Sequence, residues 1–302
     1  MGLSVENYSG LDNATLKAYI LGDSPESQQI KDEFEQEYEE GRAVKPKYDP
    51  EVLCKSLEIS TRLRKLVHTM SRNTVGLGWE ISPVVPAESH MGELDDKTRE
   101  EQIRITRWFL SANPVMPFGE AWEWATMDKH TTGNGYIEVA RTLGRKADEP
   151  GPVRSVYRVD PCSMRVLGDG TGFVQIKREG HILKKRFFKH FGDPRVMDSE
   201  DGTFKSAKEV PLTRRATEII HRKILFPGNE WYGVPMWIAA SPAIGLGSLA
   251  RIFNLNYIRN APGFPFMLLA ENGGFDPGDT AMLRDIINRQ GKGAVGAGYI
   301  PV

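Results

Sequence analysis

The sequence predicts an α+β protein, on three patterns met in chain order. Helical spacing of apolar residues prevails from Asp49 to Thr132, short alternating runs prevail from Tyr136 to Ile224, and one long helical stretch follows from Pro242. Helices come first, then a largely antiparallel set of strands, then an isolated helix.

Val52, Leu53, Leu57, Leu63, Leu66, Val67 and Met70 recur at steps of three and four, which predicts one helix with a single buried face. Asp49 before Pro50 supplies a cap and a proline at the first helical position. Val75-Gly76-Leu77-Gly78-Trp79 ends that helix, and Trp79–Ser82 reads as a strand. A second helix covers Asp96 to Leu110, with Ile103, Trp108 and Phe109 apolar, and stops before Asn113-Pro114. A third covers Phe118 to Thr132, with Trp122, Trp124 and Met127. Gly133-Asn134-Gly135 is a turn, and Tyr136–Ala140 alternates as a strand. Val153–Val159, Met164–Leu167, Phe173–Lys177, Lys184–Phe191 and Glu218–Ile224 complete the β region.

The helix from Pro242 to Asn260 is roughly 28 Å long at 1.5 Å per residue. Leu246, Leu249, Ile252, Phe253 and Leu255 make it apolar, while Ser248, Arg251, Asn254 and Arg259 fall near a polar stripe. Gly245 and Gly247 each cost roughly 1 kcal/mol of helix stability relative to alanine, which close approach of a neighbouring helix would justify. Beyond it, Phe266–Ala270 reads as a strand and Asp276-Pro277 opens a last helix to Asn288, before a tail with Gly291, Gly293, Gly296 and Gly298. Four segments result: an arm over 1–48, an α+β domain over 49–235, the helix over 236–260 and a small module over 261–302.

The arm is acidic. Asp23, Glu26, Asp32, Glu33, Glu35, Glu37, Glu39 and Glu40 stand against Lys31, a run expected to be solvated and flexible, with docking to a basic partner as the alternative. The whole chain carries a net charge of −1, which argues against tight gripping of nucleic acid. Val234–Ala250 is the most apolar stretch, but prolines, glycines and serines interrupt it, so it reads as a packing segment and a poor membrane span. The N-terminus shows no basic region followed by an apolar run of the secretory kind. Cys54 and Cys162 are too few for a disulfide framework and read as reduced core thiols.

Candidate chemistry is sparse. The sequence contains neither a phosphate-binding P-loop nor a GxSxG nucleophile elbow. None of His68, His90, His130, His181, His190 and His221 pairs with another at helical metal-ligand spacing; His221, in Ile219-Ile220-His221, reads as a core or turn histidine. Asp160, Asp169, Asp193 and Asp198 sit in turns, where aspartate belongs for backbone reasons, although a metal-dependent nuclease built from them is an alternative. Lys177, Arg178, Lys184, Lys185, Arg186 and Lys189, interleaved with Phe187, Phe188 and Phe191, read as an exposed strand face whose charges discourage edge pairing, or else as a nucleic-acid surface. A partner role for the acidic arm is to neutralise this patch on a neighbouring subunit. No cofactor is expected.

Glu218-Ile219-Ile220-His221, then Tyr232-Gly233-Val234-Pro235, then Ala243-Ile244 resemble the portal proteins of tailed bacteriophages, as do Tyr257-Ile258-Arg259-Asn260 and Pro265. Asn73–Trp79, Gly133–Glu138 and Val159-Asp160-Pro161 before Met164-Arg165 agree in order and spacing, so the resemblance spans roughly 50–290. It implies a non-enzymatic structural subunit of a homo-oligomeric ring, usually of twelve, at a capsid vertex. Double-stranded DNA passes through such a ring without base readout. The implied partners are the terminase large subunit, head-completion and adaptor proteins, and the major capsid and scaffold proteins, with no membrane. The implied locations are the virion and, during assembly, the host cytoplasm. The α+β region would be a portal-like wing, the long helix its stem, and the segment from 261 a clip that ends incomplete at Val302. Arg251, Asn254 and Arg259 would face the channel or a neighbouring subunit, and Gly245, Gly247, Leu246, Leu249 and Phe253 would pack helix against helix.

Overall fold

The structure, a computed structural model, describes residues 32–82, 96–144 and 150–260, with 276, 278, 281 and 282. The strand expected at 266–270 and the glycine tail lie outside the described residues, and of the helix expected from 276 only those four positions lie within them. Two compact units divide the described chain, the first ending at Ala240 and the second beginning at Ser241.

The first unit is built on a six-stranded sheet. Its strands are β1 (Asn134–Leu143), β2 (Pro150–Val159), β3 (Met164–Val166), β4 (Gly172–Glu179), β5 (Ile182–His190) and β8 (Glu218–Lys223), in the order β2-β1-β8-β5-β4-β3. All neighbours run antiparallel except β5 and β8, which pair in parallel over Lys189↔Glu218 and His190↔Ile219. Two-residue strands β6 (Val196–Met197) and β7 (Phe204–Lys205) form a separate hairpin between β5 and β8.

The pleat sends successive side chains to opposite faces, and both faces are covered. On one face Tyr136, Val159, Met164, Val166, Phe173, Phe188, Ile219 and Tyr232 form a core. On the other face two clusters sit side by side. Ile137, Val139 and Val156 pack with Ala112 and Ala125, beneath α4 (Asp96–Ser111) and α5 (Phe118–Thr132). Val174, Ile176 and Phe187 pack with Phe34, Met197 and Ala216. Double coverage explains why consecutive Phe187 and Phe188 are both buried.

The 49–75 region is two helices rather than one: α2 (Pro50–Ile59) and α3 (Thr61–Val75). Asp49 caps the first, accepting from the Glu51 amide at 2.8 Å. Ser60, extended with ψ 102°, separates them and accepts from the Leu63 amide at 3.3 Å. The break resets the helical phase, so α3 buries Leu63, Val67, Ser71 and Val75, and Leu66 faces solvent. Trp79–Ser82 is not a strand. The Ile81 carbonyl instead accepts from the Gln102 side chain at 2.5 Å, and the Trp79 ring packs 5.2 Å from Phe109.

The acidic segment departs most from expectation, because residues 32–48 are docked through Phe34, Glu37 and Asp32, while Glu35, Glu39 and Glu40 stay exposed. Phe34 is 2% exposed in the core, and α1 (Glu35–Glu39) lies over the sheet. Arg165, itself 2% exposed, donates to Asp32 at 2.6 Å and to the Tyr38 hydroxyl at 2.6 Å, with its guanidinium 4.4 Å from the Phe34 ring centroid. Glu37 pairs with Lys185, and Glu33 pairs with Arg178 at 2.9 Å. Within this chain Glu37 and Glu33 thus pair with cations of the basic hairpin β4–β5. β5 lies between β8 and β4, but β8 pairs only with its last two residues, Lys189 and His190. Its cations are held internally, Arg186 by Glu138 at 2.8 Å and Lys189 near Glu218 at 3.7 Å.

Candidate functional site

Three of the segments that carried the resemblance, Gly133–Glu138, Glu218–His221 and Tyr232–Pro235, meet at one joint. α5 ends at Gly133, whose φ of +84° is the left-handed conformation that closes helices. A Cβ at Gly133 would lie 2.5 Å from the Gly233 carbonyl, and one at Gly233 would lie 2.1 Å from the Gly133 oxygen. Only two glycines permit this approach of Gly133-Asn134-Gly135 to Tyr232-Gly233-Val234-Pro235.

Asn134 links the two strings. Its Oδ1 accepts from the Gly233 amide at 2.7 Å, and its Nδ2 donates to the Gly233 carbonyl at 3.2 Å. His221 Nε2 lies 3.0 Å from the same Oδ1 and must donate, because that oxygen can only accept. The imidazole stacks on Tyr136 at 4.6 Å and meets Phe173 edge-on at 5.5 Å. Burial lowers the His221 pKa to about 3, so the ring is neutral and bears its proton on Nε2. The sequence reading of His221 as a satisfied, non-ligating histidine agrees with this environment.

Tyr232 closes the joint from below. Its hydroxyl donates to the Val44 carbonyl at 2.6 Å and accepts from the Val166 amide at 2.9 Å. Burial pushes the phenol up to about 12, so it keeps its proton. The backbone adds Ile224 N to Gly133 O at 2.8 Å and Val234 N to Ile224 O at 3.2 Å. Trp237, in the 3-10 turn Met236–Ala240, donates to the Thr131 carbonyl at 3.2 Å. At the other end of the segment, Glu218 accepts from Arg141 at 2.9 and 3.1 Å and from the Gly192 amide at 3.1 Å. The arrangement is mechanical: it fixes the chain up to Ala240, where the long helix begins.

That helix, α6 (Ser241–Asn260), carries the residues proposed from sequence. Arg251 and Asn254 are exposed. Leu246 and Phe253 are each 68% exposed. Gly245 is buried, whereas a Cβ at Gly247 would meet nothing within 4 Å. The side chains of Leu249 and Arg259 lie outside the described residues. Met236–Leu255, with mean hydropathy 1.3 and 12% of its window buried, is long and apolar enough to cross a membrane by length and composition.

The scattered aspartates serve turns. Asp160 accepts from the Cys162 amide, Asp169 from Thr171, Asp193 from Arg195, and Asp198 from the Glu200 amide and the Arg214 side chain. Among the described residues no group of three or more His, Cys, Asp or Glu could hold a metal ion. A juxtaposition invisible in the sequence is Cys54 and Cys162, whose Sγ atoms lie 3.7 Å apart across 108 residues.

A family model described as "Phage portal protein" matches residues 84–302. In Bacillus subtilis (strain 168), the "Uncharacterized protein YqbA" is 28% identical over 304 residues, covering 92% of this chain and 57% of that protein. The "Phage-like element PBSX protein XkdE" of the same strain is 27% identical over 310 residues, covering 92% and 59%. The chain therefore spans somewhat over half the length of these curated relatives. Among solved structures, a chain from the virion of a native gene transfer agent particle superposes with TM-score 0.47 at 18% identity, covering 87% of this chain and 60% of that one. A chain from the neck of an empty gene transfer agent particle superposes with TM-score 0.46 at 18% identity, covering 87% and 61%.

Proposed function

Because the chain belongs to the phage portal protein family, we propose that it is a structural subunit of a closed ring at a capsid vertex, through which double-stranded DNA enters during packaging and leaves on ejection. The observation that carries this reading is the family match over 84–302, which takes in Gly133–Ala240 and the helix that follows. In this reading residues 49–235 are the wing, 236–260 the stem and the segment from 261 part of the clip. The sheet unit is a non-enzymatic platform. Hydrolysis of ATP belongs to the terminase large subunit, and head-completion proteins, adaptors, the major capsid protein and the scaffold are docking partners.

Physical chemistry supports a conduit more than a clamp. Passage without regard to sequence needs no base readout, and dense phosphate neutralisation would hold the duplex. Arg178 of β4 is engaged by Glu33, and Lys185, Arg186 and Lys189 of β5 by Glu37, Glu138 and Glu218. Leu246, Leu249 and Phe253, with room beside Gly245 and Gly247, pack between copies in this proposal, a heterologous contact that closes on itself. Arg251, Asn254 and Arg259 face the channel or the neighbouring subunit.

Negative-stain imaging and mass photometry across a concentration range test the assembly. Rings are expected, and a strict monomer at every concentration overturns the proposal. Arg251→Glu is expected to impair packaging or ring formation, and unchanged values of both would remove that residue from the assignment.

A further inference from the structure

Cys54 lies within α2, and Cys162 lies in the 3-10 turn Pro161–Ser163 that joins β2 to β3. They are the chain's two cysteines, and both are free. Each is partly exposed, so a small oxidant reaches the pair. Both backbones are held from several sides. The Cys162 amide donates to Asp160 Oδ1 at 3.1 Å, and its carbonyl accepts from Arg165 Nη1 at 3.0 Å. On the other side Ser56, two residues past Cys54, is fully buried, and Asp49 caps the start of α2. The Sγ atoms, 3.7 Å apart, are about 1.7 Å farther apart than a disulfide bond requires, a gap within reach of rotation about the two side chains.

We propose that Cys54 and Cys162 are a redox-responsive pair that closes into an intramolecular disulfide and ties α2 to the β2–β3 turn. Two S–H bonds break and one S–S bond forms. The two electrons and two protons pass to an oxidant of the peroxide or azo class; diamide, for example, leaves as its hydrazine. The chemistry stands on the geometry alone. Its timing rests on the portal reading: a reducing host cytoplasm keeps the thiols apart during assembly, and the oxidising medium around a released particle closes them. The Cys54 hydrogen bond and burial raise the Cys162 pKa, and closure speeds up as pH rises and thiolate forms.

The test is to treat the folded chain with diamide, block residual thiols with an alkylating agent, and map peptides by mass spectrometry. Both cysteines should resist alkylation and appear in one cross-linked peptide that migrates as a monomer on a non-reducing gel. The rate in the folded state should exceed that in urea by at least about tenfold. Melting temperature should rise by several degrees on oxidation and return with dithiothreitol. Cys54→Ser should abolish the product. Thiols that stay fully alkylatable, a cross-link between chains, or equal rates in urea would each overturn the pair. An unchanged or lowered melting temperature would overturn the claim that the bond ties helix to turn. None of these readouts depends on ring formation, so failure here and failure of the portal reading are told apart.

Discussion

The sheet unit and α6 solve the same problem in opposite ways. In the sheet unit both faces of six strands are covered from within the chain, by α4, α5, the acidic segment and the Tyr232 loop. In α6, Leu246 and Phe253 remain largely exposed although the helix is the most apolar stretch of the sequence. A sheet that buries its own apolar surface is a finished part. In the portal proposal, such an exposed apolar helix is buried by further copies of itself.

The strongest way to break the contrast is to open the joint. Gly233→Ala puts a Cβ against backbone at 2.1 to 2.8 Å on three atoms, and none of these can yield as a side chain would. The expected loss is about 4 kcal/mol or more, read by urea denaturation of the sheet unit. A variant of near wild-type stability would mean that the two loops are not in contact.

Removing the buried guanidinium comes next. Arg165→Ala removes the cation facing Asp32 and the donor to the Tyr38 hydroxyl, leaving Asp32 held by the Phe34 amide and the Tyr38 hydroxyl alone, and should cost about 3 kcal/mol. Limited proteolysis should then cut near residues 32–44 at a protease concentration that spares the wild type. Equal resistance would show that this segment is not held through Arg165.

Acid sharpens the comparison further. His221 has a folded pKa of about 3, below its ordinary value near 6.5. The unfolded chain therefore binds the extra proton between these values. Stability from this group is fully present above pH 6.5 and falls as pH drops towards 3, by at most about 1.4 kcal/mol per pH unit. His221→Gln, which keeps a donor for Asn134, should flatten that slope in thermal melts between pH 6 and 4. A slope identical to wild type would assign the acid sensitivity to other groups.

The smallest effect on folding is expected from the helix. Leu246→Ser with Phe253→Ser should shift the denaturation midpoint of the sheet unit by less than about 0.5 kcal/mol, while the oligomeric mass drops. A large loss of sheet-unit stability would show that the two units are not independent.

Most regular elements were legible because local periodicity determines them: α4, α5, α6 and the six sheet strands fall within a few residues of expectation. What escaped was set by distant partners. A charge run reads as solvated until Arg165, Lys185 and Arg178 are brought opposite it. The helical stripe from Val52 to Met70 hides a break because a capping serine leaves no mark on apolar spacing. Strands of two residues, such as β6 and β7, are too short for any period to show. Gly133 and Gly233 were each visible as turn glycines, but their mutual approach belongs to the fold. The candidate residues on α6 were legible as two stripes, whereas what each stripe faces is a property of the assembly.

The strand order has a consequence for how the protein is made. β1 borders β8, yet β8 begins 75 residues after β1 ends. At translation speeds of roughly 5–20 residues per second, the nascent chain carries the open edge of β1 for roughly 4–15 s before its partner is synthesised. During that interval the unpaired amides and carbonyls of β1, flanked by Tyr136, Ile137 and Val139, are a template for neighbouring nascent chains on the same message. How long residues 144–217 take to emerge therefore sets how long that edge stays open.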